Sequence, residues 1–118
     1  MIYVLEGDLL RTGFVEELGG GRVIVNDLSK GDATFFPQGL IHYQQNLACD
    51  NATFVASLDS VDPGVVFIAS GFFQLPTEAI QAAVDFDALP QDVIETFVAG
   101  LPTAPMNARR KCLVECGL

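Results

Sequence analysis

A mainly β domain, built as a sandwich or barrel and followed by short helices, is expected from three observations on this 118-residue chain. Short runs of Val, Ile, Phe, Tyr and Thr recur at even spacing to about residue 69, separated by Gly, Pro, Asp and Asn. After Pro76 the apolar spacing becomes helical. Half of the residues are hydrophobic and only 18% are charged, enough for a modest core. The strand-bearing part is placed at 1–72 and the helical extension at 73–118.

Taken in order, MIYVLEGDLLRTGFVEE reads as two strands around a Gly7-Asp8 turn, with β-branched and aromatic residues suited to a pleated surface. The GGGR run at 19–22 is a loop, 22–25 a strand and 27–31 a turn. Residues 33–36 form a strand stopped by Pro37, with Phe35 and Phe36 in the core. In the strand 41–45, Ile41, Tyr43 and Gln45 share one face and His42 and Gln44 the other. Residues 49–52 turn, 53–58 form a strand, Pro63-Gly64 turns and 65–69 form the last strand. A helix runs from 76 to about 86. A second opens at Pro90, carries Val93, Ile94, Phe97 and Val98 as a stripe, and stops at Gly100.

The net charge is −9, with only six Lys and Arg, which excludes a surface built to track nucleic-acid phosphates or anionic lipid. No apolar run reaches the length of a membrane span. MIYVLEG has neither a basic leader region nor a cleavage site, so no secretion signal is expected within these residues. Cys49, Cys112 and Cys116 are odd in number, so at least one is free or pairs between chains. On a helix Cys112 and Cys116 share a face; a disulfide there and two inert thiols are both open. Zinc is not expected there without further ligands. Asn51-Ala52-Thr53 matches an N-glycosylation acceptor, relevant if the chain enters a secretory pathway. Asp59 to Asp62 reads as a solvated turn.

His42 is the sole histidine. It lies in GDATFFPQGLIHYQQN, where Gly31, Pro37, Gly39, His42 and Asn46 are spaced as Gly, five residues, Pro, one, Gly, two, His, three, Asn. That pattern resembles the second signature of the cupin superfamily. FFPQGLIHYQQN and VASLDSVDPGV resemble its germin-like and spherulin-like branch, as do the two helices after the last strand. The resemblance covers residues 1 to about 101. It implies a double-stranded β-helix, or jelly-roll, barrel and a manganese ion held by three His and one Glu, with His42 as the third histidine. Imidazole and carboxylate donors suit such an ion. In this reading Pro37 and Gly39 turn the strand inward, and Asn46 closes a backbone turn.

The first signature of the family ends in Glu, six residues, Gly. Gly7 follows six residues, Met1 to Glu6, so the signature's Glu falls just before Met1 and its His-x-His is absent. The resemblance therefore implies an incomplete barrel with exposed edges and leaves three outcomes: a second chain completes the sheet, the chain is marginal and aggregates, or it is a fragment of a longer reading frame that starts at an internal methionine, the outcome favoured here. Glu6, Glu16, Glu17 or Asp32 could replace the missing donors, but spacing recommends none. One imidazole alone does not hold a divalent ion tightly. Two functions are expected: an extracellular manganese cupin, with oxalate oxidation, superoxide dismutation or storage as family roles, or a metal-free structural module that forms a homo-oligomer. A cytosolic sugar-binding or isomerase cupin fits less well.

Overall fold

The computed structural model describes residues 1–17, 21–84, 91–101 and 110–117. Six strands precede four helices: β1 (Ile2–Glu6), β2 (Leu10–Val15), β3 (Val23–Leu28), β4 (Ala33–Thr34), β5 (His42–Asn46), β6 (Thr53–Ala56), α1 (Ile68–Phe72), α2 (Thr77–Val84), α3 (Gln91–Ala99) and α4 (Arg110–Glu115). They fall into two compact units, Met1–Pro63 with Arg109–Leu118, and Gly64–Ala108.

The first unit holds two three-stranded antiparallel sheets, ordered β4-β1-β6 and β3-β2-β5, consistent with a partial cupin barrel. β1 alternates as a half-buried strand should: Ile2 and Val4 point inward, Tyr3 and Leu5 outward. Leu10 and Leu28, paired across β2 and β3, complete the core from the other sheet, with Phe36 and Ala52 packed against it. Thr12 is wholly buried, and its hydroxyl turns to the Asn26 carbonyl. The turn from β3 to β4 is tied back to β1 by Gly31 N–H to the Val4 carbonyl at 2.9 Å and Val4 N–H to the Asp32 carbonyl at 2.9 Å. The other face of β3-β2-β5 leaves Val15, Val23 and Val25 exposed. Among the described residues, β4 and β6 are the outer strands of one sheet and β3 and β5 of the other.

Cys49 and Cys116 form a disulfide that ties the loop before β6 to the end of α4. This corrects the open choice at Cys112 and Cys116: Cys116 is taken by a partner 67 residues away.

In the second unit, Phe73 ends α1 and its ring lies 4.9 Å from that of Phe97 on α3. Ile80 and Ile94 are the buried residues of α2 and α3. Glu78 and Asp92 sit in the first turns, where carboxylates favour the helix dipole. Gly100 N–H closes α3 on the Phe97 carbonyl at 3.0 Å.

Several elements differ from the sequence reading. The apolar run 65–69 forms no strand; α1 begins at Ile68, with Gly71 N–H on the Phe67 carbonyl at 2.7 Å. β3 extends to Leu28, through the expected turn at 27–28, and β4 stops at Thr34. β6 ends at Ala56. Phe35 is exposed at 73%, because the chain leaves the sheet before it reaches Phe35. The expected ends at Phe86 and Pro90 lie outside the described residues. No helix among the described residues is long and apolar enough to cross a membrane.

Candidate functional site: the His42 cleft

Pro37 and Gly39 build the turn that delivers His42. Leu40 N–H reaches back to the Pro37 carbonyl at 3.3 Å. Gly39 adopts φ +79°, a left-handed conformation that costs an L side chain strain. Gly31, at the start of the same motif, has φ +93°. His42 is then the first residue of β5, paired with Phe14 of β2.

The imidazole is fixed from two sides. Nδ1 lies 2.9 Å from the Leu40 carbonyl. A carbonyl only accepts, so Nδ1 is the protonated nitrogen and Nε2 keeps its lone pair in the neutral ring. That is the tautomer in which a histidine ligates a metal through Nε2 while its other nitrogen is held by a carbonyl. The ring also stacks on Phe36, with centroids 4.4 Å apart and planes 19° from parallel. Phe36 is in turn met edge-on by Phe14 at 6.5 Å.

His42 lies in an open cleft of about 460 Å³, lined also by Met1, Phe36, Pro37, Gln38, Gly39, Ser57, Leu58 and Asp59. Asp59 is the carboxylate that sequence reading passed over as a solvated turn. Its neighbourhood comes from the Met1 amine donating to the Ser57 carbonyl at 2.9 Å, a contact 56 residues apart that no local pattern announces.

The four carboxylates considered as substitute donors are engaged or placed elsewhere. Asp32 accepts from Ser29 N–H at 2.8 Å. Glu16 is paired with Arg22 through two hydrogen bonds of 2.8 and 3.0 Å, which hold its carboxyl below the ordinary range. Glu6 lines a different cleft, with Gly7, Asp8, Asp50 and Asn51. Glu17 is exposed and is not among the cleft residues. Among the described residues no three His, Cys, Asp or Glu side chains converge as a metal would need. His42 has the donor chemistry of a manganese ligand, but this donor set does not fit a closed manganese centre.

Asn46, at the far end of β5, accepts from Ala48 N–H at 3.0 Å and donates to the Asp50 carbonyl at 2.7 Å. Its side chain closes the turn that carries Cys49.

The family model described as Cupin matches residues 1–91. The chain is 42% identical to Spherulin-1B of Physarum polycephalum over 91 residues, covering 77% of this chain and 36% of that protein. It is 36% identical to Spherulin-1A of the same organism, covering 81% and 38%. It is 39% identical to Probable germin-like protein subfamily 2 member 5 of Arabidopsis thaliana, covering 80% and 37%. The chain thus spans little more than a third of the length of these relatives. No solved structure matches it. With the Gly-Pro-Gly-His-Asn motif on a turn and strand of a two-sheet β unit, and with that family match, the chain belongs to the cupin family.

Proposed function

We propose that this chain is the second-signature part of a germin-like, spherulin-like cupin, and that His42 is its one donor to a divalent metal site, manganese by resemblance. The observation that carries the reading is the His42 ring itself. Nδ1 is held by the Leu40 carbonyl, Phe36 holds the plane, and the residue lines an open cleft, so in the neutral ring with its proton on Nδ1 the nitrogen Nε2 has a lone pair to offer. Among the described residues no group of three possible ligands forms. By resemblance, the oxidoreductase chemistry of the family, on oxalate or superoxide, uses the complete donor set.

An extracellular location is part of this proposal. The Cys49–Cys116 disulfide supports it, because such bonds persist in oxidising compartments. The test is manganese uptake by equilibrium dialysis, with His42→Ala as control. Weak uptake lost in the variant is expected; uptake that His42→Ala leaves unchanged overturns the reading.

The exposed Val15, Val23 and Val25 face favours a second reading, a structural module that associates with its own copies. Sedimentation distinguishes it: an oligomer indifferent to chelator and to His42→Ala supports the module.

A further inference from the structure

The metal reading leaves Asn51-Ala52-Thr53 unused. It is the sole Asn-x-Ser/Thr triplet in the sequence. The structure places Asn51 and Ala52 at the end of the loop between β5 and β6, and Thr53 as the first residue of β6, paired with Glu6 of β1. Ala52 turns inward and packs against the Ile2, Val4, Leu10 and Leu28 cluster. A Cβ at Gly7 would lie 2.9 Å from the Ala52 Cβ, so glycine at 7 is what lets the loop seat so closely. With Ala52 anchored, Asn51 and Thr53 on either side are exposed. The Asn51 amide has no hydrogen-bond partner among the described residues. Asn51 lines an open cleft of about 400 Å³ together with Glu6, Gly7, Asp8 and Asp50.

A second, independent observation points the same way. The Cys49–Cys116 disulfide begins two residues upstream of Asn51 and belongs to the oxidising compartment in which eukaryotic glycan transfer occurs.

We propose that Asn51 carries an N-linked glycan. The donor is a lipid-diphosphate-linked oligosaccharide. A bond forms between Asn51 Nδ2 and the anomeric carbon, the bond from that carbon to the diphosphate oxygen breaks, the lipid diphosphate leaves, and Nδ2 gives up one proton. The Thr53 hydroxyl is the second recognition element of the triplet. The attached sugar occupies solvent at the foot of β6, an edge strand. The proposal rests on the secretory reading above, and its test separates the two.

The full chain behind a cleavable secretion signal is translated with endoplasmic-reticulum microsomes, and protease protection selects the translocated product. The protected wild type is expected to run one glycan heavier and to return to the unmodified position after peptide N-glycosidase F. Thr53→Ser keeps the shift; Asn51→Gln and Thr53→Ala abolish it. A protected wild type that does not respond to the glycosidase overturns the proposal. A non-reducing gel of the same product reads the disulfide. An oxidised, unglycosylated chain overturns the glycan and leaves the secretory location standing. A glycosylated chain with free thiols supports the glycan and removes the disulfide argument for location.

Discussion

Cys116→Ser removes the tether between the Cys49 loop and the end of α4. The two cysteines are 67 residues apart. Releasing a loop of that size gives the unfolded chain about 15 cal/mol/K of entropy, or about 4.4 kcal/mol at 25 °C. A chain of this length has a total stability of roughly 6–18 kcal/mol, so the loss is a large share. The assay is urea denaturation followed by tyrosine emission. The chain has no Trp and two Tyr, and both lie in the disulfide-bearing unit, Tyr3 on β1 and Tyr43 on β5. With a urea dependence of about 1–3 kcal/mol/M, the midpoint should fall by roughly 1.5–4.4 M. Cys49→Ser and reduced wild type should match Cys116→Ser. A shift below about 0.5 M in Cys116→Ser, too small for any slope in that range, would refute the reasoning.

Acid sensitivity should follow two exposed ion pairs. The Arg11 hydrogen bonds to Asp27 and the Arg22 hydrogen bonds to Glu16 hold both carboxyls below their ordinary values. The folded state therefore binds fewer protons than the unfolded one. That stability is present above the unfolded carboxylate value of about 4 and is lost as pH falls through the lower folded values. Asp27→Asn with Glu16→Gln should flatten the decline in urea midpoint below pH 4, and an unchanged acid limb would count against these pairs. Gly39→Ala meets no neighbour within 4 Å, so its cost is backbone strain alone, about 1–2 kcal/mol. Gly39→Asn, which tolerates the left-handed region, should cost less; equal midpoints for glycine, alanine and asparagine would contradict the turn.

The parts of the fold set by near neighbours were legible in the sequence. β1 shows in its alternation, the turn before His42 in Pro37 and Gly39, and the Asn46 turn in one side chain that reaches two and four residues ahead. The cysteine pairing was not legible, because the four-residue spacing of Cys112 and Cys116 is local whereas the observed bond closes most of the chain. Asp59 was hidden for the same reason, since Met1 and Ser57 bring it to the cleft. The run Val65 to Ala69 is ambiguous by composition. A strand needs a neighbour to receive its backbone hydrogen bonds, and here those bonds close locally, Gly71 to Phe67 and Phe73 to Ala69, so a helical turn results.

The most direct test of the account is the nitrogen NMR spectrum of the His42 imidazole at neutral pH, recorded before and during manganese titration. The account predicts a proton on Nδ1, an unprotonated Nε2, and paramagnetic broadening that begins at His42. A proton on Nε2, or broadening that begins at Glu6, Asp8 and Asp50 while His42 stays sharp, would contradict it.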